Sequence, residues 1–154
     1  MSRDNAPMNI SAQGDGRERS AADEAPAGPG GTVLVVEDDA NLRAIIELWL
    51  RRAGYAVLLS GNAEEAQEAV LSGEPDLVIL DLSLTGADGF ALLDRLRRAP
   101  ATHEMPVLVV STYDDAEHRL RSFELGAAGF LRKPFHGRDL VAKVARIMRE
   151  MRIP

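Results

Sequence analysis

Three short apolar runs in this 154-residue chain end in residues that can do chemistry. Val33-Leu34-Val35-Val36 runs into Glu37-Asp38-Asp39, Leu77 to Leu80 into Asp81, and Val107 to Val110 into Ser111-Thr112. A fourth, Gly129 to Arg132, is followed by Lys133-Pro134. Brought to one rim, the carboxylates of Glu37, Asp38 and Asp81 would repel and raise one another's proton affinity unless a cation sat among them. Hard oxygen ligands with no Cys or His beside them point to Mg2+, which keeps several waters and commonly works next to phosphate groups. A hydroxyl and an ammonium complete a set able to hold phosphoryl oxygens whose charge must be stabilised during transfer. The chemistry these residues suit is phosphoryl transfer on a carboxylate.

Such a rim requires a particular scaffold. From residue 32 onward, short aliphatic runs alternate with stretches of helical period, the pattern of repeated βα units and a parallel sheet. Strands are predicted at Val33 to Glu37, Ala56 to Ser60, Leu77 to Asp81, Val107 to Ser111 and Gly129 to Arg132. Three are nearly continuous apolar runs, as expected of central strands covered on both faces. Leu42, Ile45, Ile46, Trp49 and Leu50 form one helical stripe that stops at Gly54, a residue suited to a left-handed cap. Ala63 to Leu71, Phe90 to Arg98 and Ala116 to Leu125 read as the next helices, and Leu140, Val144, Ile147 and Met151 line a fifth. The expected fold is α/β, a doubly wound, flavodoxin-like (βα)5 sandwich with a five-stranded parallel sheet. In such a sheet the ligand site lies beyond the carboxyl ends of the strands, where the reactive residues fall.

Composition narrows the function further. With no cysteine, disulfides, thiolate zinc sites and cysteine nucleophiles are excluded. No apolar run approaches a membrane span and the N-terminus lacks the apolar core of a secretory signal, so a soluble, cytoplasmic protein is expected. The net charge of -6 argues against a broad nucleic-acid surface. Charge is uneven: residues 32 to 125 carry eight basic against seventeen acidic side chains, and residues 126 to 154 seven against two. Residues 1–31 are rich in Ser, Asp, Gly, Ala and Pro and hold few large apolar side chains; a disordered tail is expected there, with the domain spanning 32–154.

Together, Glu37 and Asp38, Asp81 in Leu80-Asp81-Leu82-Ser83-Leu84-Thr85-Gly86-Ala87-Asp88-Gly89, Ser111, and Lys133-Pro134-Phe135 resemble the receiver domains of bacterial two-component response regulators. The separations of 30 residues from Asp81 to Ser111 and 22 from Ser111 to Lys133 also match that family. The resemblance implies that Asp81 takes a phosphoryl group from a sensor histidine kinase or a histidine phosphotransfer protein. It implies that Asp38 binds Mg2+ directly, Glu37 through water and Ser83 through its backbone carbonyl. Ser111 and Lys133 would hold phosphoryl oxygens, and Thr112 stands beside them. Pro134, after a cis bond, would turn Lys133 back into the site. Phe130 would follow Ser111 and couple phosphorylation to the face made by the fourth helix, fifth strand and fifth helix, where a downstream protein, or a second copy of the chain, would bind. No direct nucleic-acid or membrane partner is expected, and no turnover of an external substrate.

The chain departs from the common pattern at Glu37, where Asp is more frequent, at Thr85, where many members have Pro, and at Thr112, where a small residue is common. Each residue also has a structural reading. Asp39 suits the positive end of a helix, Phe130 could be simple packing, and the cationic fifth helix, with Arg138, Lys143, Arg146, Arg149 and Arg152, a solvated face. His103, His118 and His136 lack ligand spacing. Asp81 also has a faint likeness to the nucleophile of haloacid-dehalogenase-type phosphatases, but their second Asp falls at Ser83. A flavodoxin-type cofactor binder would place Gly, Ser and Thr, not acids, in the first loop. Because the chain stops just after the fifth helix, a stand-alone receiver is expected; the alternative is a receiver excised from a longer regulator or hybrid histidine kinase. An adaptor working without phosphorylation is disfavoured by the complete acceptor set.

Overall fold

The computed structural model describes residues 30–84, 89–112 and 116–152, with the side chain of Arg152 excepted. The expected tail, apart from Gly30 and Gly31, lies outside these residues, as do Thr85 to Asp88 and Tyr113. The elements alternate strictly: β1 Thr32–Val36, α1 Ala40–Arg52, β2 Ala56–Ser60, α2 Ala63–Gly73, β3 Leu77–Asp81, α3 Gly89–Arg98, β4 Val107–Ser111, α4 Ala116–Glu124, β5 Gly129–Arg132 and α5 Gly137–Arg152. All strand pairs are parallel, in the order β2-β1-β3-β4-β5. The apolar runs β1, β3 and β4 are therefore the central strands.

Two-residue alternation along each strand divides the core between the faces. Val33 and Val35 point with Leu77, Ile79, Leu108 and Val110 toward Ile46 and Leu50 of α1 and Leu140, Val144, Ile147 and Met148 of α5. Leu34, Val36, Val78, Leu80, Val107 and Val109 face the other way, onto Ala66 and Val70 of α2 and Phe90, Leu93 and Leu96 of α3. Each fully buried leucine contributes about 2 kcal/mol. Local signals fix where helices begin. The Asp39 carboxylate accepts from the N–H groups of Asn41 and Leu42 at 2.9 and 3.2 Å and so starts α1. Asn62 caps α2, its side chain accepting from the Glu65 N–H at 2.9 Å, and Glu65 accepts from the Gly61 N–H, one residue before the cap, at 2.8 Å. Gly54, with φ of +103°, turns the chain out of α1.

Three expectations need correction. β1 runs from Thr32 to Val36, so Glu37 lies just past the strand. Ile45 is 44% exposed, because the stripe on α1 is wider than the face the sheet covers. Met151 is also exposed, and Met148 takes the core position. A 16-residue helix spans about 24 Å, whereas strands of four or five residues span about 17 Å, so the last turn of α5 outruns the sheet. No described helix is long and apolar enough to cross a membrane.

Candidate functional site

The strand order reverses direction between β1 and β3: the chain steps one way from β1 to β2, then back across β1 to β3. At their carboxyl ends the helices diverge, which opens the crevice where open α/β sheets bind ligands. Asp81 is the last residue of β3, nearly inaccessible to solvent, and Glu37 follows β1 equally buried. Asp38 is half-buried. One carboxylate oxygen from each of Glu37, Asp38 and Asp81 lies within 4.8 Å of the others, a spacing that can hold a metal ion.

Lys133 reaches this cluster from β5. Its Nζ lies 3.0 Å from Glu37 Oε1 and 3.2 Å from Asp81 Oδ2, with the side chain 16% exposed. The Lys133 N–H donates to the Ser111 carbonyl at 2.8 Å, extending the ladder of β4 and β5 one step past the strand end. The Lys133-Pro134 bond is cis, as the resemblance implied. Ser111 ends β4 fully buried, Ser83 and Thr112 are exposed on the rim, and the Ser83 N–H donates to Asp81 Oδ1 at 3.0 Å. Phe130 is buried in the core on the α2 and α3 side of the sheet, with Val109 as its partner on β4. The structure thus brings Glu37, Asp38, Asp81 and Lys133 together, with Ser83 and Ser111 anchoring the chain beside them.

Burial pushes the Glu37 carboxyl up to about 7; the nearby Asp81 charge adds to this, and the hydrogen bond from Lys133 opposes it. Burial alone would lower Lys133, but its hydrogen bond to Glu37 and the charges of Asp81 and Glu37 outweigh that and hold the ammonium above its usual value. The pocket therefore carries more negative charge than one lysine comfortably balances. Hard oxygens in excess of cations, closely spaced and mostly buried, fit a divalent ion.

Some positioning residues gave no clear sign in the sequence. Arg43 donates to the Glu37 carbonyl at 2.7 Å and so holds the turn that carries the two acids. Gly89 opens α3 with its N–H bonded to the Leu82 carbonyl at 3.2 Å. A Cβ there would lie 2.6 Å from Leu82 Cα and 2.9 Å from the Asp81 carbonyl oxygen, so only glycine permits this approach of helix to loop. Gly89→Ala should cost about 1 to 3 kcal/mol, the range for overpacking against backbone that cannot give way. Urea denaturation of the two proteins measures it, and an unchanged midpoint would contradict the close approach.

The sequence pattern of the response regulator receiver domain matches residues 33–145. The chain belongs to the response regulator receiver family. Receiver domains are signalling modules, and among curated relatives the chain is 33% identical over 120 residues to the phosphate regulon transcriptional regulatory protein PhoB of Pseudomonas aeruginosa, covering 78% of this chain and 52% of that protein. It is 38% identical over 125 residues to the transcriptional activator protein PfeR of the same species, covering 81% of this chain and 40% of that one. The receiver thus spans about half or less of the length of these relatives. Among solved structures, the non-phosphorylated HemR receiver domain from Leptospira biflexa is 33% identical with a TM-score of 0.71, covering 77% of this chain and 94% of that one. Chemotaxis protein CheY4 of Vibrio cholerae is 26% identical with a TM-score of 0.73, covering 76% of this chain and 98% of that one. The five-stranded flavodoxin-like receiver fold expected from the sequence is the fold observed.

Proposed function

We propose that this receiver is a phosphoacceptor: Asp81 takes a phosphoryl group from a histidine kinase or phosphotransfer protein and passes the signal on through protein contacts. The observation that carries this reading is Lys133 Nζ lying 3.2 Å from Asp81 Oδ2 inside a pocket of three carboxylates. The Ser83 N–H fixes Asp81 Oδ1, which limits rotation of the carboxylate and leaves Oδ2 as the attacking oxygen. An oxygen–phosphorus bond forms there as the phosphorus–nitrogen bond to the donor imidazole breaks, and the leaving nitrogen takes up a proton from solvent. Lys133 exchanges its contact with Oδ2 for a phosphoryl oxygen, and the hydroxyl of Ser111, with Thr112 at the rim, accommodates another. Mg2+ held by Asp38, Asp81, the Ser83 carbonyl and, through water, Glu37 would supply the positive charge that offsets the phosphoryl oxygens. At Ser83, the position where a phosphatase of the haloacid-dehalogenase type carries its second Asp, a backbone N–H contacts the nucleophile instead.

Ser111 moving toward the new anion and Phe130 repacking beneath it would alter the surface of α4, β5 and α5, where a downstream protein or a second copy docks. A phosphoryl group adds about -1.5 to -2 charge and three acceptor oxygens. A coupling of about 1 to 3 kcal/mol then changes partner affinity by about 5 to 150 fold.

Acetyl phosphate with Mg2+ should add one phosphoryl mass to the intact protein, and peptide mapping after borohydride reduction should find homoserine at position 81. A chelator of divalent ions should abolish the adduct. No adduct from acetyl phosphate or a competent kinase, or one at another residue, would reject the reading.

A further inference from the structure

α4 buries little apolar surface of its own against the domain. Ser122 is its one buried side chain, and Leu120 and Phe123 face solvent, 59% and 45% exposed. The helix sets charges and an imidazole against rings instead. His118 stacks on Phe90 with centroids 6.0 Å apart and planes at 25°. The Arg121 guanidinium lies 4.3 Å from the centre of the same ring, and that of Arg119 lies 5.3 Å from the centre of Phe130. Contacts of this kind at exposed positions contribute about 0.5 to 1 kcal/mol each, less than one buried leucine. A helix held this way opens at low cost.

Phe90 directly follows Gly89. The Gly89 backbone lies on the backbone of Asp81 and Leu82 with no room even for a methyl group, and its N–H is bonded to the Leu82 carbonyl. A shift of the Asp81 loop must therefore carry Gly89 with it, and with Gly89 the ring on which His118 and Arg121 rest. We propose that Phe90 is a positioning residue that ties α4 to the backbone of Asp81 and Leu82, a line of coupling separate from Ser111 and Phe130. The attachment itself is independent of phosphorylation; the signal it transmits rests on the phosphoacceptor reading. On this view the occupancy of Asp81 is read by how firmly α4 is held. Phe130 reports from β5, and Phe90 reports from the floor of the acceptor loop.

Amide hydrogen exchange of the segment 116–124 in the full chain tests this, with and without Mg2+ and acetyl phosphate, alongside intact mass. Phe90→Leu keeps apolar volume and removes the ring; Phe90→Tyr keeps the ring. Phe90→Leu should speed exchange in α4 about five-fold while α1 is unchanged, matching the loss of ring contacts. Phe90→Tyr should hold α4 as wild type does relative to α1, whose exchange reads any global cost of the buried hydroxyl. The phosphorylation-dependent change in α4 exchange should shrink in Phe90→Leu and persist in Phe90→Tyr, although both still take up the phosphoryl group. Arg121→Met, at an exposed position, should loosen α4 alone and combine with Phe90→Leu less than additively. Unchanged α4 exchange in both variants, equal acceleration of α1 and α4, or an undiminished response in Phe90→Leu would each overturn the inference. A wild type that takes up no phosphoryl group would sink the phosphoacceptor reading and the coupling with it, whereas an adduct with an undiminished α4 response sinks the coupling alone.

Discussion

Asp81→Asn should take up no phosphoryl group from acetyl phosphate and Mg2+, and in metal-free buffer at pH 8 it should be more stable than wild type. The first result follows because an amide oxygen is a poor nucleophile and the acyl phosphate has no other atom on which to form. The second follows from the charge balance of the pocket. Asp81 raises the Glu37 carboxyl on top of the effect of burial, so removing its charge brings Glu37 back toward its ordinary range and leaves Lys133 paired with one buried carboxylate. Asn keeps an oxygen able to accept the Ser83 N–H. The gain should be about 1 kcal/mol, the free energy that accompanies a roughly tenfold change in a carboxyl group's proton affinity. Intact mass reads the first effect and urea denaturation the second. An adduct on the variant, or a variant less stable than wild type, would show that Asp81 is held for structural reasons.

The combination of lost uptake with gained stability is the signature of a site assembled for a guest. Glu37 and Asp81 are almost wholly buried, where leucine or valine would pack at lower cost, and three carboxylates converge on one ammonium. On the proposed function, that stability is given up so that a cation and an anion can enter.

The strand ends were legible because a parallel sheet covered on both faces needs continuous apolar runs, and a run that stops at Glu37, Asp81 or Ser111 marks the carboxyl rim without ambiguity. The convergence of these residues with Lys133 then follows from the strand order, which places β3 between β1 and β4. What stayed illegible depends on approaches between distant backbones. Gly89 stands at the end of the Asp81 loop in the sequence, yet nothing local says that its α-carbon will rest on Leu82. Ile45 and Trp49 share one stripe on α1; only the placement of α5 and Phe135 decides that Trp49 is partly covered and Ile45 is not. The attachment of α4 through Phe90 was hidden for the same reason, since His118 and Arg121 look like surface residues until the ring is beneath them.

Lys133→Met should have the opposite effect on stability from Asp81→Asn, and a larger one. The ammonium lies within 3.2 Å of both Glu37 and Asp81 and is largely buried, so its removal leaves two carboxylates facing each other with no counter-charge. Breaking a buried pair by removing one partner costs about 3 to 5 kcal/mol. The deficit should depend on pH with a definite sign. Glu37 already sits at about 7, above its ordinary 4.5, so its contribution to stability is fully present below the ordinary value and is lost as pH rises through 7. Without Lys133 the hydrogen bond and charge that restrain this rise are gone, and the carboxyl is pushed higher still. At pH 8 in metal-free buffer the full deficit should appear, and at pH 5.5, where Glu37 is protonated in both proteins, it should fall by the share that Glu37 contributes, leaving the lost packing, the lost hydrogen bond and an Asp81 charge without its ammonium. Urea denaturation at the two pH values measures the difference. A deficit of equal size at both would mean that Lys133 matters for its methylene packing, and the electrostatic account of the pocket would have to be given up.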